Sequence, residues 1–203
     1  MIKLKKFPTA GRFIKVYTID ELDYDAQRNA YNEWLSSVDY PWESENRESL
    51  NAFCSRFNIG RVDYEYGGYR PPWIEADIRV SGEVDTLRGL RLRTYILNNF
   101  GDVLFKPKYL RHVGGKPRYS KVKVDRVPNF SGYYLYYNIC KPLYDFIDHP
   151  DRHTSLSDLL QECLWEWVNE CHKDMESFYS FENFEETAMV LGWLYNKQGK
   201  RVN

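Results

Sequence analysis

The 203-residue chain carries 28 Lys and Arg against 29 Asp and Glu, a net charge of −1, and is 43% hydrophobic and 17% aromatic. That length and apolar content fit one ordinary folded domain over residues 1–203 and exclude a disordered chain. Without a leader-like start or a run of about 18 apolar residues, the chain reads as a soluble cytoplasmic protein.

The near-neutral total hides segregation. Residues 20–48 hold nine acids against two bases, residues 106–126 hold eight bases against one acid, and residues 157–186 hold nine acids against one base. Local charge therefore says more than total charge. Four cysteines (Cys54, Cys140, Cys163, Cys171) form no CxxC pair, which fits buried reduced thiols better than a disulfide framework.

Residues 1–6 make a short basic start. FIKVYT (13–18) alternates in β-forming residues and predicts a strand. Thr18 with Glu21 makes a capping box, and Asp23 offers a second cap for a helix burying Leu22, Ala26, Ala30 and Trp34. Pro41 breaks it. A second helix over 44–57 buries Leu50, Phe53, Cys54 and Phe57 and stops near Asn58–Gly60.

RVDYEY (61–66) and WIEADIRV (73–80) alternate on either side of GGYRPP, which predicts an antiparallel hairpin. Its tip carries Tyr66, Tyr69, Arg70 and Trp73, the residue mixture of a protein-binding hot spot. Residues 83–100 predict a helix bent at Gly89 and stopped by Gly101, with Leu87, Leu90, Leu92, Ile96, Leu97 and Phe100 toward the core. Residues 102–105 and 119–124 read as short strands around a loop holding Gly114–Gly115, and the aromatic run 130–137 as a last strand. Pro142 suits the first turn of a short helix ending at 147.

Residues 155–179 form the strongest signal. Leu156, Leu160, Cys163, Leu164, Trp167, Cys171, Met175 and Phe178 recur every three or four residues, opposite Asp158, Glu162, Glu166 and Glu170. Ser155 and Asp158 supply the start. A final helix over 181–191 closes at Gly192, and residues 193–195 and 200–202 flank a possible small hairpin. The order of elements predicts an α+β fold: a mainly antiparallel sheet packed by several helices, with a long C-terminal core helix.

Catalytic patterns are absent from the sequence. His149 and His153 are four apart with Pro150 between them, and no phosphate loop, nucleophile elbow or zinc spacing exists, so neither a metal nor a cofactor is expected. The stronger signal is basic. Lys106, Lys108, Arg111, Lys116, Arg118, Lys121, Lys123 and Arg126, interleaved with Tyr109 and Tyr119, suit phosphates and bases, or an acidic protein partner. The alternative is that the lysines blunt an exposed edge strand. The two acidic stretches are solvated helix faces, phosphate mimics, or docking surfaces for a basic protein.

Several segments together, KVYTIDELDYDAQRNAYNEWL, YPWESENRESLNAFCSRF, EYGGY, GLRLRTYILNNF and the run from FSGYYLYYNICKPLYDFI to the C-terminal WLYNKQGKRV, resemble a family of small phage and prophage proteins. These are often labelled as the antitoxin of a toxin–antitoxin stability system. Relatives often carry Cys-Asp-Asp after a Ser-Gly-Tyr element, where this chain has Tyr134, Leu135 and Tyr136. The resemblance implies a mobile-element protein working in the host bacterial cytosol by stoichiometric binding. The expected function is inhibition of a bacterial defence system, most concretely as an anti-CRISPR-like inhibitor of a nuclease effector. The alternatives are an antitoxin that neutralises a toxin and binds DNA, and a small nuclease.

Overall fold

A computed structural model describes residues 3–6, 13–68, 70–113, 116–126, 128 and 136–202. The elements are β1 (Lys3–Lys6), β2 (Phe13–Val16), α1 (Tyr24–Leu35), α2 (Glu43–Phe57), β3 (Ile59–Glu65), β4 (Trp73–Ile78), α3 (Gly82–Asp85), α4 (Gly89–Leu104), β5 (Lys106–Val113), β6 (Lys116–Asp125), α5 (Tyr136–Ile139), α6 (Lys141–Asp148), α7 (Leu156–Phe178) and α8 (Phe181–Val190). The class is α+β, as the sequence predicts, and every strand pair described is antiparallel. Among the described residues the strands form three two-stranded sheets, β1–β2, β3–β4 and β5–β6. By its contacts the chain falls into two compact units, residues 1–41 with 174–203, and Trp42–Lys173.

The first unit is built on local caps. Thr18 N–H donates to Glu21 at 3.1 Å around a short 3-10 turn, and Asp23 then caps α1 by accepting from Ala26 N–H at 2.9 Å. Both start signals are thus used, one turn apart. Apolar residues at i+4 steps (Leu22, Ala26, Ala30) bury against Phe184, Ala188 and Tyr195. Gly192, at φ +64°, ends α8 in a left-handed turn in which Trp193 N–H reaches back to the Ala188 carbonyl at 2.9 Å. The predicted C-terminal hairpin exists as bridges of Tyr195 to Arg201 and to Tyr17.

The core of the second unit follows the stripe of α7. Leu156, Leu160, Cys163, Leu164, Trp167 and Cys171 are all at most 3% exposed, while Met175 and Phe178 lie past the unit's edge and are only partly buried. Ser155 and Asp158 cap each other: Asp158 accepts from Ser155 N–H at 2.8 Å, and Asp158 N–H donates to the Ser155 hydroxyl at 3.1 Å. All four cysteines are buried and free, and burial pushes the Cys54 thiol up to about 11.

Four sequence expectations are corrected here. The helix predicted over 83–100 is two helices, broken at residues 86–88, and the second runs through Gly101 to Leu104. Residues 102–104 are therefore helical, because Val103 and Leu104 are buried core residues whose packing outweighs the conformational cost of glycine inside a helix. Leu90, expected in the core, is 69% exposed, since a start at Gly89 turns Leu92 and Ile96 inward instead. Residues 136 and 137, placed at the end of a strand from the sequence, open the short helix α5; residues 130–135 of that run lie outside the described residues.

Candidate nucleic-acid interface

The basic stretch forms an antiparallel ribbon. Strand β5 occupies residues that the sequence predicts to be loop between two short strands, and it pairs with β6 from Lys106 opposite Asp125 to Val113 opposite Lys116. The register jumps between Pro107, opposite Val124, and Lys108, opposite Ser120. Proline has no N–H to give the ladder, so an irregularity belongs there. Lys121, Val122 and Lys123 fall in the stretch without register partners, so strict alternation does not continue through them.

The register of this ribbon is electrostatically unusual. Arg111 stands directly opposite Arg118, and only Lys106 opposite Asp125 matches a base with an acid. Like charges at facing positions of an antiparallel pair are destabilising, and opposite charges are favoured by a few tenths of a kcal/mol up to about 1. A ribbon selected only to stay folded would place acids at these positions. The surplus of cations is what a polyanion would neutralise.

At the base of the ribbon the residues serve the fold as well. Arg126 grips the Asp148 carboxylate at the end of α6 with both oxygens at 2.6 Å, and its guanidinium lies 5.5 Å from the centre of the Tyr144 ring. The Arg126 hydrogen bond, with the same charge beside it, holds the Asp148 carboxyl below the usual carboxylate range. Tyr144 in turn donates to the Leu104 carbonyl at 2.7 Å, next to the start of β5. Arg126 and Lys106 are both exposed, but Arg126 also ties the ribbon to α6.

The predicted hot spot at the β3–β4 tip divides. Tyr66 is 5% exposed, with its ring parallel to Tyr64 at 5.8 Å and edge-on to Trp167 at 5.8 Å. It is a core residue, because the same alternation that puts Val62 and Tyr64 inward carries Tyr66 with them. Burial pushes its phenol well above the ordinary range, and its carbonyl accepts from His172 Nδ1 at 2.8 Å. Arg70 is exposed and Trp73 is 44% exposed, so both stand where a partner can reach them; Tyr69 lies outside the described residues.

Two polar surfaces escaped the sequence reading. On the outer face of β3–β4, Asp63 stands opposite Glu75, with Arg61 pairing Asp63 at 2.8 Å and Arg79 pairing Asp77 at 2.7 Å. The odd-numbered positions of RVDYEY already carried that signal. Beside α6 and α7 a cleft of about 400 Å³ is lined by Lys141, Asp145, His149, Asp151, Glu162 and Glu166. Lys141 pairs Glu166 there at 3.2 Å. The Thr154 hydroxyl, with the N–H groups of Thr154 and His153, draws the Asp151 carboxyl down to about 2. Among the described residues no group of three or more His, Cys, Asp or Glu side chains is arranged to hold a metal ion, and no helix is long and apolar enough to cross a membrane. Comparison with protein-family models, with curated proteins and with solved structures finds no match for this chain.

Proposed function

We propose that this chain is a non-enzymatic interaction protein that acts by stoichiometric binding, with the ribbon β5–β6 as the surface that grips nucleic acid. The observation that carries the reading is the register of Arg111 against Arg118 in a ribbon bearing Lys106, Lys108, Lys116, Lys121 and Lys123 with one acid, Asp125. A two-stranded ribbon is also narrow enough to enter the major groove of a duplex. The resemblance to small phage proteins supports a role against a bacterial defence system. In that role the ribbon occupies the nucleic acid that a nuclease effector needs, in the manner of an anti-CRISPR inhibitor. Arg70 and Trp73 on the β3–β4 tip offer a second contact for the protein component.

The test is anisotropy with a labelled 20-base-pair duplex and the matching single strand across a salt series. Affinity should fall with salt along a log–log slope near −0.9 for each phosphate contact on duplex DNA. A salt-insensitive signal, or none at low salt, would refute the ribbon as a nucleic-acid surface. In cells carrying a defence nuclease, expression of the protein should raise phage plating, and charge reversal in the ribbon should abolish the effect. Rescue of growth from a neighbouring toxin gene, without any effect on phage plating, would favour the antitoxin reading instead.

A further inference from the structure

Four residues of α1, Tyr24, Gln27, Arg28 and Tyr31, stand three or four positions apart and so share one helix face. With Phe181 at the start of α8 they line a groove of about 500 Å³ in the first unit. One wall of the groove is preset. The Tyr31 hydroxyl donates to the Tyr179 carbonyl, the Tyr31 ring stacks on Trp34 at 6.0 Å, and Phe181 meets it edge-on at 5.5 Å. The other wall is Tyr24, which is 74% exposed, so most of its ring is open to a partner.

Three observations narrow the occupant. The first is charge. Arg28 is exposed, and its side chain makes no hydrogen bond or ion pair among the described residues. Asp20, Glu21, Asp23 and Asp25, all exposed, lie at the start of the same helix. A nucleic acid would bring a row of phosphates to one cation with four carboxylates nearby, whereas a single carboxylate finds its match. The second is backbone supply. The N–H and C=O groups of α1 are spent inside the helix, so the groove offers no strand edge to a peptide. A polyproline II segment needs none, because its backbone stays solvated. The third is spacing. Tyr24 and Tyr31, seven residues apart, are separated by about 10.5 Å along α1 at 1.5 Å per residue. The two prolines of a PxxP segment lie about 9.3 Å apart at 3.1 Å per residue, and Arg28 falls opposite the residues between them.

We propose that this groove docks a proline-rich segment of a protein partner, with two prolines of a PxxP element on the Tyr24 and Tyr31 rings and one carboxylate between them on Arg28. Aromatic-lined grooves take such segments because the polyproline II conformation exists before binding and costs little entropy to fix. The exposed Tyr24 hydroxyl supplies a donor for a peptide carbonyl. A basic residue between the prolines would meet Arg28, and a strongly acidic segment would meet the carboxylates at the start of α1. All the lining residues belong to the first unit, so occupation of the groove is independent of the basic ribbon.

The probe is the peptide acetyl-PPPPEPPPP-amide, titrated by calorimetry into the full chain. Its controls are the same peptide with lysine in place of glutamate and an alanine-rich helical peptide carrying one glutamate. The glutamate peptide should bind once per chain with Kd on the order of a millimolar or tighter, and shift the ring protons of Tyr24 and Tyr31 in NMR spectra. Tyr24→Ala should weaken binding about tenfold or more, as loss of an aromatic anchor does. Arg28→Glu should reverse the preference between the glutamate and lysine peptides. Both substitutions are at exposed positions, and thermal unfolding checks that each variant folds. Reversing Arg111 and Arg118 in the ribbon should leave peptide affinity unchanged. Absence of saturable binding of the glutamate peptide overturns the proposal, as does unchanged affinity in a folded Tyr24→Ala variant. Equal affinity of the wild-type chain for the lysine peptide overturns it too. Tighter binding of the helical peptide would do the same, and would make the groove a seat for a helix.

Discussion

The hairpins β3–β4 and β5–β6 share a topology and differ in what holds them. In β3–β4 the inward positions carry Val62, Tyr64, Ile74 and Ala76, and the outward charges are compensated along each strand by Arg61–Asp63 and Arg79–Asp77. Tyr64 and Tyr66 set their edges against Trp167 at ring distances of 4.9 and 5.8 Å. That hairpin is a wall of the core. In β5–β6 the facing pairs are mixed, Tyr109 against Tyr119 and Lys106 against Asp125 beside Arg111 against Arg118, and the register shifts after Pro107 and again after Tyr109. Apolar alternation with local charge pairing marks a structural hairpin. One facing pair of cations, with few acids nearby, is the feature on which the proposed nucleic-acid role rests.

The contrast breaks most sharply at Trp167, which is fully buried. Trp167→Ala should lower the unfolding free energy by about 3–5 kcal/mol, as truncating a large core aromatic does. Urea denaturation measures it. A loss below about 1 kcal/mol would mean that β3–β4 does not depend on α7 for its wall.

Next in size is the ribbon. Reversing both members of the facing pair, Arg111→Glu with Arg118→Glu, should weaken duplex binding about tenfold or more and flatten its salt dependence. The same double variant should leave stability within about 0.5 kcal/mol, since one like-charge pair replaces another at the same facing positions. Unfolding of the variant would show that the ribbon is structural after all. A smaller effect separates the two faces of β3–β4. Trp73→Ala, at an outward and 44% exposed position, should change stability by about 0.5 kcal/mol or less, while reducing capture of a protein partner if the tip is a contact.

The parts of the fold legible in the sequence are those specified within one element. The α7 stripe, the Ser155–Asp158 start, the Asp23 cap and the alternation in β3 and β4 each depend on residues a few positions apart. The missed features depend on distant partners. Leu104 is helical because its side chain is fully buried and its carbonyl receives the Tyr144 hydroxyl, 40 residues on, which no local propensity encodes. Strand β5 had a usable signal, the Gly114–Gly115 pair between two runs of similar composition, but its lysines and Pro107 hid the β pattern. The eight basic candidates were legible as charge, whereas the facing of Arg111 and Arg118 needed the register. The groove beside α1 was invisible, since Tyr31 and Phe181 come from distant parts of the chain.

The comparison also separates the two regions by pH. Around the start of α7, three carboxylates sit below their ordinary range: Asp151 at about 2, held by Thr154 and His153; Asp158, held by Ser155; and Asp148, held by Arg126. A carboxyl that is more acidic in the folded chain than in the unfolded one stabilises the fold while ionised. That stabilisation is complete above the unfolded value near 3.8 and is lost as the pH falls through the lowered folded values, about 2 for Asp151. The melting temperature should therefore be flat near neutrality and fall from about pH 4 to pH 2. Asp151→Asn, which can still accept but carries no charge, should lower stability at pH 7 and make the fall below pH 4 shallower. Free lysine and arginine side chains stay charged well above neutral pH, so duplex binding should be unchanged between about pH 7 and pH 9. An acid transition of equal steepness in Asp151→Asn would move the source of acid sensitivity away from the loop before α7.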